Sequence, residues 1–212
     1  MCSHYQALKL YELGWKRFGV AAPAALVRAE LWPGYVGAFV RRHAHADLGD
    51  AAVPEREVLA GVFGLLPRWS KDLKLARHTF NARSETVSEK PSFRDAWRKG
   101  QRCIIPAQAI YEPDWRTGKA VPTRISRADG APMGLAGLWD WSALGGGTLS
   151  YTMLTINADE HPFMNQFHRP QEEKRSVVIL PDAAYADWLD AAVADQGGLL
   201  QLYPAHALTA ST

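Results

Sequence analysis

Cysteine is almost missing from this 212-residue sequence, with Cys2 and Cys103 the only two. So few thiols give no disulfide framework. There is also no basic start followed by an apolar core of signal-peptide type, and no uninterrupted apolar stretch long enough to cross a bilayer. A cytoplasmic protein without a membrane partner is the expectation. An excess of one charge is absent too: 24 basic and 22 acidic residues leave a net charge of +2. That balance does not by itself imply nucleic acid, so any anion-binding surface has to be local. Internal repeats, low-complexity tracts and linkers are likewise missing, and residues 1–212 read as a single domain. What is present is a 47% hydrophobic composition, ordinary for a globular protein, with eight tryptophans to bury or to offer for stacking.

The most informative stretch is Gln101–Trp115. Its continuous apolar run, from Cys103 to Tyr111, suits a strand buried on both faces, and it ends on an acid, Glu112. Two readings of Glu112 follow. It marks an exposed strand end before the loop at Pro113 and Asp114, or it is buried, in which case its pKa rises and it can exchange a proton near neutral pH. Cys103 within the run reads as an inert buried thiol. At the other end of the chain, a small second residue permits removal of Met1, which leaves Cys2 with an α-amine of pKa ~8 beside a thiol of pKa ~8.5. Such a 1,2-aminothiol condenses with an aldehyde and closes a thiazolidine ring.

Elsewhere, Leu8, Tyr11, Trp15 and Phe18 have helical spacing ahead of Gly19. Residues 35–41, 57–66, 123–126, 133–141, 149–157 and 176–180 read as strands, those at 133–141 and 149–157 paired through the turn Gly145–Gly147. Ser92 is placed to cap a helix over 93–99. Asp182 is placed to cap a closing helix with Tyr185, Trp188, Leu189 and Ala192 inward. His43 and His45 lack an accompanying ligand set and read as a solvated loop, with no metal expected. The polar segment 67–92 mixes Arg and Lys with Trp69 and Phe80. That is either a basic surface loop or a surface for single-stranded nucleic acid. His161 and His168 lie in another polar segment, where a histidine is ordinarily solvated or satisfied.

Taken in order, Met1-Cys2, Pro67-Arg68-Trp69, the run Asn81–Thr86, the run Arg102–Ala107, Tyr111-Glu112, the run Ala136–Trp139, and His168 ahead of Glu173–Arg175 resemble the SOS-response-associated peptidase (SRAP) family of abasic-site processing proteins. The resemblance covers nearly the whole chain. It implies an α+β fold, a branched, barrel-like and mostly antiparallel sheet surrounded by short helices. It also implies capture of the ring-opened aldehyde of an abasic site in single-stranded DNA as a thiazolidine crosslink, with lyase and self-processing peptidase activities beside it. In that reading Cys2 supplies both nucleophiles and Glu112 shuttles protons. Asn81 bonds the sugar oxygen or the Cys2 backbone, and His168 donates to an oxygen or phosphate. Arg83 and Arg175 are expected to contact phosphate and Trp69 to stack on a base. No cofactor is implied. Replication-fork proteins are candidate partners, and the nucleoid is the place of action.

The chain departs from the family pattern at Ser3 and His4, where Gly and a basic Arg are usual. It departs again at Phe63, at Ile110 and Pro113 around the acid, and at Ser176 and Val177. The four catalytic positions survive while the flanking DNA surface changes. Two rival readings stand beside this one. Glutamine amidotransferases also expose an N-terminal Cys, but their Cys-Gly-Ile start and Asn-Gly motif are absent. A non-catalytic single-stranded DNA binder would need no Cys2, Asn81, Glu112 and His168 set.

Overall fold

Runs rich in Val, Ile, Phe and Tyr become strands in this chain, and connections rich in Gly, Pro, Asp and Ser turn between them. The computed structural model describes residues 2–9, 13–24, 28–190 and 198–211. In order, these hold β1 (Tyr5–Ala7), β2 (Glu30–Leu31), β3 (Val36–Arg42), β4 (Arg56–Phe63), β5 (Asn81–Arg83), α1 (Arg94–Arg98), β6 (Arg102–Asp114) and β7 (Val121–Arg127). They continue with β8 (Met133–Ser142), β9 (Thr148–Asn157), β10 (Arg175–Val177), β11 (Ile179–Leu180), α2 (Tyr185–Asp190) and β12 (Leu208–Ser211).

Strands β8, β9, β4, β3 and β6 pair in succession, and β6 pairs back onto β8, which closes a five-stranded barrel. Within it only β4 and β9 run parallel. The fold is thus the α+β, barrel-like sheet with few short helices. Branching comes from β6. Arg102–Ala107 pair with β8, Ala107–Ile110 with β1, and Ile110–Asp114 with β7, so one strand leaves the barrel wall and carries a second layer of strands.

Odd-numbered side chains of the barrel strands point inward. Phe39 on β3 packs on Trp139 of β8 and Tyr151 of β9, with ring centroids 6.5 and 5.6 Å apart, and those strands form the opposite wall. Phe63, Cys103, Ile105, Leu135 and Met153 complete that lumen. The Tyr5 and Tyr151 hydroxyls, 2.5 Å apart, satisfy each other inside it. Gly37 leaves them room, since a Cβ there would lie 2.3 Å from the Tyr151 oxygen. Even-numbered Val40, Ile104, Leu138 and Leu154 face outward under an apolar layer that includes Trp15, Trp97 of α1 and Trp188 of α2. The Trp188 indole N–H donates to the Cys103 carbonyl at 2.9 Å, tying α2 to β6.

Several local expectations change. The helix expected near the N-terminus is a short 3-10 turn over Leu13–Phe18, with Trp15 and Phe18 buried and Gly19 ending it at φ 72°. Tyr11 lies outside the described residues, as does Ala192. Helix α1 is capped at Phe93, not Ser92, and without a side-chain bond, because burial of the Phe93 ring sets the entry of the chain. Asp182 does not cap α2. Its carboxylate accepts from Arg127, Arg17 and the Tyr185 hydroxyl, which draws it sideways onto β7. The run Ser176–Leu180 is not one strand. Val178 donates to Leu154 of β9 and accepts from Ala136 of β8, so the chain crosses from one barrel strand to the next and divides into β10 and β11.

Candidate active site

One end of the lumen gathers the polar residues. Strand β6 does not stop at Glu112 but continues to Asp114, paired with β7 through Glu112 and Thr123. Glu112 is therefore only 1% exposed, and the reading of an exposed strand end is corrected. Burial disfavours its charge and lifts its pKa to about 7.

His168 is brought to Glu112 by backbone pairing. Phe167 bridges to Asp114, and the His168 N–H donates to the Pro113 carbonyl at 2.9 Å. The residue adopts φ 64°, in the left-handed region that costs a non-glycine residue about 1–3 kcal/mol. Its Nε2 stands 3.5 Å from a Glu112 carboxyl oxygen and 3.2 Å from the Arg175 carbonyl. A carbonyl only accepts, so Nε2 carries the hydrogen. Burial lowers the imidazole pKa to about 4, and the ring is neutral at physiological pH. The buried His168–Glu112 contact thus joins a neutral imidazole to a carboxyl that is protonated over much of the neutral range, and is not an ion pair between fixed charges.

Cys2 is fully buried at the same end. Its thiol donates to the His4 carbonyl at 3.3 Å. Burial first, and the nearby Glu112 charge second, push the thiol well above its ordinary pKa. Asn81, at the start of β5, donates Nδ2 to the Cys2 carbonyl at 2.7 Å. Of its two expected partners the structure thus contains the Cys2 backbone. Its Oδ1 is buried with no hydrogen-bond donor among the described residues, leaving an acceptor open at the site. All four expected catalytic residues therefore converge.

The three residues expected to face DNA do not share one environment. Trp69 is 52% exposed and presents an open ring. Arg83 is at the surface, paired with Glu173 at 2.7 Å. Arg175 is buried, with its guanidinium held by Glu85, by Glu173 and by the Thr155 carbonyl. The expectation of a phosphate contact at Arg175 is corrected: the side chain is turned inward and its donors are taken. Burial is the largest single influence on Glu85 and opposes its charge, but the Arg175 hydrogen bond and charge together with backbone N–H groups outweigh it and hold that carboxyl below its usual value. Beside His168 an open cleft of about 500 Å³ is lined by Trp115, Arg116, Asn165, Gln166 and Lys174. His161, in contrast, is a satisfied structural residue. Its Nε2 donates to the Tyr203 carbonyl and its Nδ1 accepts from the Met164 N–H.

Sequence reasoning missed two groups. Glu85 was read only as part of a motif, and His4, Trp32 and Glu30 were not connected to the site at all. His4 was noted for the positive charge it lacks. His43 and His45 lie in a turn, where the His43 ring accepts from the His45 N–H. Among the described residues no group of three or more His, Cys, Asp and Glu is placed to hold a metal. No described helix is long and apolar enough to cross a membrane.

A cysteine, an amide, a protonatable acid and a neutral imidazole thus lie together at one barrel mouth near the chain start. The chain belongs to the SOS response associated peptidase (SRAP) family, whose model matches residues 1–212. It is 37% identical over 132 residues to YoaM, an abasic site processing protein of Bacillus subtilis (strain 168), a match that covers 60% of this chain and 54% of YoaM. It is 28% identical over 162 residues to the abasic site processing protein HMCES of Xenopus tropicalis, covering 66% of this chain and 47% of HMCES. The chain thus spans about half the length of these curated relatives. Among solved structures, a Bordetella bronchiseptica protein is 51% identical with a TM-score of 0.87, covering 99% of this chain and 98% of its own. A Bacteroides thetaiotaomicron protein at 20% identity and a TM-score of 0.76, covering 99% and 90%, shares the fold.

Proposed function

We propose that this protein captures abasic sites in single-stranded DNA through Cys2 once Met1 has been removed. The observation that carries the reading is the convergence of Cys2 with Asn81, Glu112 and His168 at one end of the barrel. The names of the SRAP relatives YoaM, YoqW and HMCES, each an abasic site processing protein, support the substrate.

The Cys2 amine attacks the ring-opened sugar aldehyde, and loss of water gives an imine. The thiol sulfur then adds to the imine carbon while its proton passes to nitrogen, closing a thiazolidine with one water as the sole by-product. A carboxyl of pKa about 7 is populated in both forms at neutral pH. Glu112 can therefore protonate the departing hydroxyl and take up the proton shed later. Neutral His168 donates through Nε2 to a sugar or phosphate oxygen in exchange for the Arg175 carbonyl it holds in the free protein, and Asn81 Oδ1 accepts from a sugar hydroxyl. Trp69 offers a base-stacking face and Arg83 a phosphate contact, while Arg175 orders the loop behind His168. From the imine, β-elimination would cleave the strand, so weak lyase activity accompanies capture. Removal of Met1, by the site itself or by a separate aminopeptidase, is the peptidase step.

The test is denaturing electrophoresis with intact-mass measurement after incubation with oligonucleotides that carry or lack an abasic site. A denaturation-resistant adduct is expected only with the abasic strand, and none with Cys2→Ala. A protein confirmed to begin at Cys2 that forms no adduct overturns the reading.

A further inference from the structure

Cys2 precedes β1 and lies outside the strand ladder, so sheet pairing alone does not fix the nucleophile. Its neighbour His4 is held unusually well. The His4 ring lies between Trp32 and Tyr111, with both centroid distances 4.0 Å and interplanar angles of 11° and 8°. Its Nε2 is hydrogen-bonded to the Glu30 carboxylate at 2.6 Å. Its carbonyl accepts from the Tyr111 N–H at 3.0 Å and from the Cys2 thiol at 3.3 Å. Tyr111 directly precedes Glu112 on β6, and Glu30 begins β2, which pairs with β1. One imidazole therefore joins the nucleophile's segment to the strand of the acid and to the edge of the sheet. Trp32, the outer wall, is 44% exposed, so burial of apolar surface alone does not account for the arrangement.

We propose that the Trp32–His4–Tyr111 stack is a clamp that positions Cys2 against Asn81 and Glu112. His4 is a positioning residue, acting on the reaction only through the segment it pins. The catalytic consequence rests on the abasic-site reading above, whereas the clamp itself does not. Releasing it should have opposite effects on two reactions of Cys2. The thiol becomes more open to a small reagent, and capture of a DNA aldehyde, which needs fixed geometry, becomes slower.

The experiment compares wild type with His4→Ala, Trp32→Ala and His4→Phe in the full chain, using iodoacetamide and site-resolved mass spectrometry. Cys2 alkylation should accelerate about ten-fold in the two alanine variants through local opening, and stay within about two-fold of wild type in His4→Phe, which keeps the stacked ring. Cys103, buried in the barrel lumen, reports on global opening and should not change. With an abasic oligonucleotide, the first-order crosslinking rate at saturating DNA should fall about ten-fold in His4→Ala, with half-saturation unchanged. Unchanged Cys2 alkylation in both alanine variants overturns the clamp. So does a parallel rise at Cys103, which would mean that His4 only supports the fold. If the wild type forms no adduct, the abasic-site reading fails while the alkylation arm still decides the clamp.

Discussion

At the scale of single residues, burial of Glu112 makes its charge a cost to the folded state. Its ordinary value is 4.5 and its folded value about 7. Below pH 4.5 the acid is protonated in both states and contributes no pH dependence. As pH rises through the interval, the unfolded chain ionises first and stability falls. Above pH 7 the loss levels off, on the order of 3 kcal/mol. Glu112→Gln should therefore gain stability over wild type when pH moves from 5 to 8, measured by urea denaturation at both values. An equal difference at the two pH values would sink the assignment. The same variant should crosslink an abasic oligonucleotide more slowly at pH 7, with about 10²-fold the minimum for losing a positioned acid–base group. Glu112 and Cys2 stand out in the sequence, one closing an apolar run and the other following the initiator Met, but the residues alone left two readings of Glu112 and only the family resemblance tied the two together. The burial of Arg175 was not legible, because it depends on Glu85, which is remote in sequence and reaches it only across the sheet.

At the scale of elements, Arg175 and Arg83 carry the same charge and should behave in opposite ways. Arg175→Ala removes the guanidinium that Glu85, Glu173 and the Thr155 carbonyl share beneath β10, although Glu173 keeps Arg83 and Glu85 keeps the Asn157 N–H. Because Glu85 and Glu173 are 48% and 35% exposed, the charges left behind are partly solvated, and the loss is about 1–3 kcal/mol from the charged hydrogen bonds and the Thr155 carbonyl. Arg83→Ala deletes an exposed pair and should stay within about 0.5 kcal/mol of wild type. Urea midpoints of the two variants distinguish these outcomes, and equal midpoints would contradict the inward role of Arg175. Strand existence was well marked by apolar runs, and β3, β4, β8 and β9 fall close to expectation. Element ends were less legible. Phe93 replaces Ser92 at the cap, and Val178 divides an apolar run that carries no internal sign of division, because in each case tertiary burial overrides the local preference.

At the scale of the whole molecule, closure depends on the close approach of β6, β8 and β9. A Cβ on Gly137 would stand 2.6 Å from the Thr152 carbonyl oxygen and 2.8 Å from an Ile105 methyl. Backbone on one side leaves little to yield, so Gly137→Ala should cost about 1–3 kcal/mol, read from denaturant unfolding. A neutral effect would show that the wall is more compliant than its geometry. Neither closure nor branching was readable from alternation alone, since every strand of this kind looks buried on both faces. The pairing of β1 with β6 has a further consequence for synthesis. Tyr5 leaves the ribosome early, yet its partner Ile110 follows about 100 residues later, roughly 5–20 s at 5–20 residues per second. Throughout that interval the Cys2 segment has no β6 to pair with. Once β6 arrives, Cys2 and Tyr5 are sealed at 0% exposure. The order of translation thus leaves the Cys2 thiol open to reagents during synthesis and covers it only once β6 is made.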